Sequence, residues 1–205
     1  MQFSKISDHS KRNKQFELFS STNDFSTNIY KESTLEISRE SLLDWRKKIH
    51  KHQEFVLKTF KNSCLQKSLI SYKSNENIEL EKLNPFLLKS SSINFWRSNK
   101  SIHDGPAIYF VIDKIGNDQI ILYIGETYSA DKRWKGEHDC KNYINNYKES
   151  LTKADVENHI DIRFSLDVPL EVKFRRKLEQ KLIYLWLPPF NKESRGRWST
   201  TFTNH

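Results

Sequence analysis

The clearest pattern of apolar and polar positions lies in the second half of the chain. Two runs rich in β-branched residues, AIYFVID (107–113) and QIILYIG (119–125), are joined by KIGND, which predicts a β-hairpin. A later run, HIDIRFSL (159–166), predicts a third strand. The segment 169–186 repeats apolar residues every three to four positions, begins with a proline and is followed by two more, which predicts a helix.

The order of these elements indicates the fold class. The segment SADKRWKGEHDCKNYINNY (129–147) lies between the hairpin and the third strand and predicts a helix, with Gly136 as its weak point. The order is therefore β-β-α-β-α. We expect an α/β chain of the α+β type, with a small three-stranded sheet flanked by helices.

The first half is organised differently. Residues 1–34 are rich in Ser, Asn, Lys and Thr without a period, which predicts a mobile tail. From Ser38 to Phe60 apolar residues recur with helical spacing, and the other face carries four cations, Arg46, Lys47, Lys48 and Lys51. That face either contacts phosphates or is only solvated. The expected organisation is a tail (1–34), a basic helical extension with a connector (35–104), and a compact domain (105–205).

Composition narrows the partners. The 205 residues include 34 Lys and Arg against 26 Asp and Glu, a net charge of +8, which favours a polyanion over a soluble basic protein without such a partner. No apolar run approaches the roughly 18–20 residues of a membrane span, so no membrane partner is expected. The two cysteines lie far apart and the start lacks the apolar core of a signal peptide, so the expected compartment is the cytoplasm.

Two tyrosines in the hairpin are candidates for chemistry. Tyr109 and Tyr123 each lie seven residues from Gly116. If the hairpin is symmetric about that turn, the two phenols are cross-strand neighbours on one face. Such a pair either stabilises the sheet or forms part of a site.

A carboxylate on the last helix is a second candidate. Glu179 lies within the apolar arc of the segment 169–186. Because an unpaired charge on an apolar face is costly, Glu179 needs a partner. Arg175, four residues earlier, supplies one by a salt bridge, and a divalent metal ion is the other. The pattern leaves both open.

These residues together resemble the GIY-YIG nuclease superfamily over about residues 105–193. AIY (107–109) stands for the first motif, with alanine in place of the usual glycine, and YIG (123–125) for the second. Arg133 follows ten residues after Tyr123, and EQKLIYLWLPPFN supplies Glu179 and Asn191 in the family's order. The string as a whole is most similar to GIY-YIG proteins of cyanobacteria.

The resemblance implies a GIY-YIG-like fold and a metal-dependent endonuclease that hydrolyses DNA, of repair, restriction or mobile-element type. Glu179 would hold one Mg²⁺ or Mn²⁺, Arg133 would fork onto the phosphate, Tyr109 would activate or orient the water, and Tyr123 would hydrogen-bond the water or the phosphate. The alternatives are a catalytically silent DNA-binding module and an RNA-directed nuclease. A monomer and a homodimer are both compatible with the sequence.

Further residues receive supporting roles. Many relatives carry His or Tyr four residues after the arginine, whereas this chain has Glu137 there and His138 next. Either Gly136 lets the helix bulge and brings His138 inward as a proton relay, or His138 faces elsewhere. Contacts to DNA are expected from the following residues: Arg46, Lys47, Lys48, Lys51, Lys132 and Asn191. Asn191 is also expected to hydrogen-bond the catalytic loop.

The tail contains one recognisable motif. QFELF, from Gln15 to Phe19, resembles the pentapeptide with which bacterial DNA-processing proteins dock onto the sliding clamp. Leu18 and Phe19 would enter an apolar pocket of the clamp. The alternatives are a chance match and an aromatic patch that packs on the globular domain.

Overall fold

A computed structural model of the chain describes residues 37–67, 83–97, 105–136, 139–199 and 201–203. Four helices are defined: α1 (Arg39–Lys67), α2 (Ala130–Lys135), α3 (Asp139–Lys153) and α4 (Val172–Trp186). Four strands are β1 (Ser90–Ser92), β2 (Ala107–Ile115), β3 (Asp118–Thr127) and β4 (His159–Ser165). The predicted tail with its Gln15–Phe19 motif, and His138, lie outside the described residues and remain predictions.

The four strands form one antiparallel sheet in the order β1-β4-β2-β3. The α+β class is therefore confirmed, but the expected number of three strands is one too few. The additional strand β1 consists of three serines, and Ser90 pairs with Arg163 of β4. It carries no apolar alternation, so its sequence contains no strand signal, and pairing to β4 alone defines it.

The hairpin of β2 and β3 turns at Gly116, which has a φ of +57° that suits glycine. A register shift between Val111 and Ile112 breaks the expected symmetry about this turn. Tyr109 therefore lies opposite Gly125, and Tyr123 lies opposite Val111. The two tyrosines are diagonal neighbours on one face rather than directly opposed.

The two faces of the sheet carry separate cores. One face packs Tyr109 and Val111 against residues of α1 and α3, including Leu42, Ile49 and Tyr147. The other packs Ile108, Phe110 and Ile112 against Leu178, Leu182 and Trp186 of α4. The described residues, from Ile37 onward, belong to one compact unit, so α1 of the predicted extension is part of the same core.

The predicted helix over residues 129–147 is two helices. Helix α2 ends at Lys135 and α3 begins at Asp139. The helical conformation is therefore interrupted at Gly136, the position that was expected to be weak. Each helix has its own apolar anchor, since Trp134 and Cys140 are both buried. Helix α2 contacts the hairpin through Trp134, whose ring packs against Tyr109.

Strand β3 is an edge strand, and other segments occupy its outer hydrogen-bonding groups. The Gln53 side chain accepts from the Ile121 amide at 2.7 Å and donates to its carbonyl at 3.0 Å. The buried Asn191 side chain does the same with Ile124, at 2.9 and 2.8 Å. These contacts protect the edge from pairing with other strands. The prediction that Asn191 contacts DNA is wrong, because the oxygen and the nitrogen of its side chain are both hydrogen-bonded to Ile124 of β3.

The prediction of a basic face on α1 is wrong at one position. Arg46 is buried, and its Nη2 atom lies 3.0 Å from Oδ2 of Asp113, which also accepts a 2.7 Å hydrogen bond from the Tyr147 hydroxyl. Arg46 is thus an internal group, whereas Lys47, Lys48 and Lys51 are exposed as expected. Among the described helices, none combines the length and apolar character that a membrane crossing requires.

Candidate active site

The candidate site lies where β2 begins and β3 ends, at the opposite end of the hairpin from Gly116. The rings of Tyr109 and Tyr123 are stacked there, with centroids 6.0 Å apart and planes inclined by 25°. Gly125 makes this arrangement possible, because a β-carbon at that position would collide with the Tyr109 ring. The glycine of the YIG motif is therefore needed for close approach and not for an unusual backbone angle.

Helix α2 brings Arg133 to the two phenols. The Arg133 side chain is hydrogen-bonded to both Tyr109 and Tyr123. The neighbouring Trp134 is buried and packs edge-on against the Tyr109 ring, with centroids 5.7 Å apart. The ring of Phe95 also packs against Trp134, with ring centroids 6.0 Å apart. Trp134 therefore anchors α2, and an anchored α2 places its arginine over the hairpin.

The phenols are held in their neutral form. Burial raises the pKa of Tyr109 well above its usual value, and the adjacent Arg133 opposes this only in part. Burial likewise raises the pKa of Tyr123. Burial lowers the pKa of Arg133, but the neighbouring tyrosines outweigh that effect and its net pKa is raised. At neutral pH the cluster is thus one guanidinium cation with two protonated phenols.

Glu179 reaches the same place from α4. Its Oε1 atom accepts a 3.0 Å hydrogen bond from the backbone amide of Glu126, one residue beyond the YIG motif. The pKa of Glu179 is raised to about 7, mainly by burial; the hydrogen bond from the Glu126 amide opposes this rise, and the charges of Glu126 and Glu193 add to it. The charge of Glu179 also acts on Tyr123. Four side chains, one each from β2, β3, α2 and α4, therefore converge.

The sequence left open a salt bridge between Glu179 and Arg175, and that prediction is wrong. Arg175 is buried and donates through Nε to Oε2 of Glu126 at 2.8 Å, and through Nη1 to the carbonyls of Pro169 and Leu170. Glu126 was missed by the sequence analysis. Its signal was an acidic residue directly after the glycine of YIG, at the end of a predicted strand.

The donor set at Glu179 fits a single hard cation. Among the described residues, no group of three or more His, Cys, Asp or Glu side chains is arranged to hold a metal ion. Mg²⁺ commonly binds through one or two carboxylates and keeps most of its waters, so it does not need such a group. A cation at Glu179 would also supply the positive charge that the buried carboxylate lacks. The residues present therefore fit one Mg²⁺ or Mn²⁺ at Glu179.

The members of the site differ in exposure. Tyr109 is completely buried, whereas Tyr123 and Glu179 are partly exposed and Arg133 is exposed. Lys132 lies beside Arg133 on α2 and is exposed too. A ligand can thus reach the arginine, one phenol and the carboxylate directly, while Tyr109 forms the floor beneath them.

No family model, curated protein or solved structure matches this chain. The resemblance to the GIY-YIG superfamily therefore stays a prediction from its motifs. What the structure adds is the juxtaposition of the motif residues. The roles of Tyr109, Tyr123, Arg133, Glu179 and His138 stay predictions as well.

Proposed function

We propose that the protein is a metal-dependent endonuclease that hydrolyses phosphodiester bonds of DNA. The observation that carries this proposal is the convergence of Tyr109, Tyr123, Arg133 and Glu179 at one end of the hairpin. A guanidinium and two protonated phenols can donate hydrogen bonds to a phosphate ester, and the carboxylate can hold one hard cation. These groups together suit the hydrolysis of a phosphodiester. The net charge of +8 supports a polyanionic substrate.

Arg133 binds the scissile phosphate in this proposal. Its planar group offers several N–H donors in a fixed fork, and the two phenols already orient it. As the phosphorus becomes five-coordinate, negative charge grows on the oxygens that Arg133 contacts. Preorganised donors of this kind stabilise the transition state more than the ground state.

The phenols act as donors and orienting groups. Because burial raises the pKa of both tyrosines, neither is a phenolate at neutral pH in the ligand-free protein. Tyr123 is partly exposed and donates its O–H to the phosphate or to the attacking water. Tyr109 is buried and holds Arg133 and Tyr123 in position from below. The attacking water is thereby placed by Tyr123 and Arg133.

Glu179 holds the cation. A bound Mg²⁺ or Mn²⁺ would supply Lewis acidity at the phosphate and at the leaving oxygen. The hydrogen bond from the Glu126 amide to Oε1 holds the carboxylate of Glu179 beside the end of β3. The ion pair of Arg175 with Glu126 in turn fixes the end of β3 against α4.

The test is cleavage of supercoiled, linear, branched and single-stranded DNA in Mg²⁺, Mn²⁺ or EDTA. We expect metal-dependent cleavage by the wild type and none by Glu179→Gln, which keeps the acceptor for the Glu126 amide. Glu157→Gln, at an exposed position before β4, is the matched control and should cleave normally. Cleavage that survives in Glu179→Gln would disprove this role of Glu179 and indicate a contaminating nuclease.

One observation favours an alternative, a DNA-binding module without catalytic activity. Tyr109 is completely buried, so substrate cannot touch it unless the cluster rearranges. If the wild type binds duplex DNA but cuts none of the substrates in either metal, the silent module is the correct function. Cleavage of RNA alone, in a parallel panel, would replace DNA by RNA as the substrate.

A further inference from the structure

Two neighbouring arginines of α4 share one carboxylate at the end of β3. Arg175 donates through Nε to Oε2 of Glu126 at 2.8 Å, and Arg176 donates through Nε to Oε1 of the same carboxylate at 3.3 Å. The two differ in exposure, because the Arg175 side chain is 1% exposed and the Arg176 side chain is 68% exposed. One carboxylate therefore faces two cations, of which one is buried and the other is in contact with water.

The charge of Glu126 is committed to the buried arginine. A buried cation that loses its counterion is strongly destabilising, whereas an exposed ion pair contributes little, because water solvates both partners. Arg175 also donates through Nη1 to two backbone carbonyls, so its side chain is fixed in the interior. Arg176 is therefore the surplus cation of this group, and its charge is available to another anion.

The single contact of Arg176 leaves most of its guanidinium unused. Among the described residues, the one side-chain hydrogen bond of Arg176 runs from Nε to Glu126, so both Nη groups are unused within this part of the chain. The contact through Nε restrains the planar group, while the remaining N–H donors belong to a largely exposed side chain. A restrained guanidinium with donors to spare has the geometry that binds a phosphate through two parallel hydrogen bonds.

Arg176 lies on the same side of α4 as the proposed cation ligand. It precedes Glu179 by three residues, which places the two about 60° apart around the helix axis and about 4.5 Å apart along it. Glu126, which holds Arg176, also donates its backbone amide to Glu179 at 3.0 Å. Burial raises the pKa of Glu179, and the charge of Arg176 opposes that rise. Helix geometry, a shared partner and a direct electrostatic effect thus all place Arg176 beside Glu179.

The next cation of α4, Lys177, does not share this position. It is exposed, but its place two residues before Glu179 puts it about 160° away around the axis. Among the described residues, no ion pair involves Lys177. Lys177 therefore carries the same charge as Arg176 on a different side of the same helix, which makes it a matched comparison.

We propose that Arg176 binds the DNA phosphate next to the scissile phosphate, on the α4 side of the cation site. The choice of DNA rests on the function proposed above, whereas the location rests on the contact of Arg176 with Glu126 and its place beside Glu179. Arg133 is hydrogen-bonded to Tyr123, on which the charge of Glu179 acts. A DNA strand bound by both arginines crosses the end of the hairpin from α2 to α4.

The experiment measures DNA binding by the full chain in EDTA, where no metal-dependent cleavage occurs. A labelled duplex is titrated by fluorescence anisotropy at several salt concentrations. The variant is Arg176→Gln, and the matched control is Lys177→Gln, which removes the same charge from the next position of α4. A third protein, Arg176→Lys, keeps the charge without the planar fork. Glutamine and lysine retain helix propensity, and circular dichroism verifies that the three variants fold.

We expect the slope of log K against log salt to fall by about 0.9 in Arg176→Gln, and affinity at low salt to fall about tenfold, because one phosphate contact is lost. Lys177→Gln should change the slope by less than about 0.3. Arg176→Lys should keep the wild-type slope and bind about threefold more weakly, since lysine contacts a phosphate as a point charge.

Three results would each overturn the proposal: a wild-type slope in Arg176→Gln, an equal fall in Lys177→Gln, or no DNA binding by the wild type. A slope that Arg176→Lys does not restore would overturn it as well. Arg176 would then act through its ion pair with Glu126, as a structural group, and not on a phosphate.

A cleavage assay in Mg²⁺ on the same proteins separates this inference from the proposed function. A contact made equally to substrate and transition state leaves kcat unchanged, so Arg176→Gln should raise KM about tenfold and change kcat by less than about threefold. If the slope depends on Arg176 but the wild type never cleaves, Arg176 stands as a phosphate-binding residue and the nuclease proposal fails. If the wild type cleaves but Arg176→Gln keeps the wild-type slope and KM, the nuclease proposal stands and this inference fails.

Discussion

Two arginine–tyrosine clusters lie at opposite ends of the same hairpin, and their chemistry differs. Near the turn, Arg46 is buried, 3.0 Å from Asp113, which also accepts a hydrogen bond from Tyr147. At the far end, Arg133 is exposed and is hydrogen-bonded to the phenols of Tyr109 and Tyr123. Both combine a guanidinium with tyrosine, but only the first contains a carboxylate that neutralises the cation.

The difference separates a structural arginine from one available to a ligand. Burial raises the pKa of Asp113, and Arg46 opposes that rise because the two charges are mutually stabilising. That pair joins α1 to β2, and its two opposite charges face each other in the interior. At the other end the carboxylate, Glu179, has a pKa raised to about 7, mainly by burial, and no ion pair among the described residues involves it. A cation bound at Glu179 and an anion bound at Arg133 would both be stabilised there.

Breaking the buried cluster should have the largest effect on stability. Arg46→Gln leaves Asp113 charged in the interior, so we expect the free energy of unfolding to fall by about 3–5 kcal/mol. Lys47→Gln, at the next and exposed position, should change it by less than about 0.5 kcal/mol. Urea denaturation followed by circular dichroism measures both. A loss below about 1 kcal/mol for Arg46→Gln would show that the pair is dispensable.

Changing the exposed arginine should affect turnover instead. Arg133→Lys keeps the charge but loses the bidentate geometry, so we expect kcat to fall about 10²–10³-fold. Unfolding free energy and DNA affinity should stay close to wild type. Lys132→Arg, one residue earlier, is the matched control and should leave kcat nearly unchanged. Wild-type turnover in Arg133→Lys would remove Arg133 from the site.

Removing one hydroxyl from each cluster sharpens the contrast. Tyr147→Phe removes the hydroxyl that donates to Asp113 and accepts from Arg46. It should therefore destabilise the protein by about 1.5–3 kcal/mol. Tyr123→Phe lies in the partly exposed cluster and should cost less than about 1 kcal/mol while reducing cleavage. Thermal melts and single-turnover cleavage provide the two measurements. Equal losses of stability would contradict the distinction between the clusters.

Neutralising Glu179 should change the stability of the protein by an amount that depends on pH. The pKa of Glu179 is about 7 in the folded protein and 4.5 when unperturbed, so folding favours its protonated form. Glu179 therefore lowers stability progressively as pH rises from about 4.5 to 7, and fully above that range. In EDTA, Glu179→Gln should be more stable than wild type by about 1–3 kcal/mol at pH 8 and equal to it near pH 4.

Melting curves across this pH range measure that difference. Mn²⁺ at pH 8 should raise the melting temperature of the wild type but not of Glu179→Gln, because only the carboxylate binds the ion. A difference between the two proteins that does not vary with pH would mean that Glu179 titrates normally. An equal response to Mn²⁺ would place the metal elsewhere.

The sequence by itself determined the local elements and the candidate residues. Continuous apolar, β-branched runs predicted β2 and β3, a third such run with alternating polar residues predicted β4, and helical spacing predicted α1 and α4, because these patterns depend only on neighbouring residues. The hairpin and the apolar arc selected Tyr109, Tyr123 and Glu179 as candidates, and the resemblance to the GIY-YIG family added Arg133. The structure brings these four side chains together. Their catalytic roles stay predictions.

Only the tertiary structure decided which charged groups are partners. Arg46 and Lys47 are adjacent cations on one helix, yet one is buried beside Asp113 and the other is exposed. Arg175 lies one helical turn from Glu179, yet it pairs with Glu126 from another element. A local pattern specifies the side of a helix on which a residue lies. The partner of a buried charge is set by the distant segment that packs there, since the charge is stable only beside an opposite one.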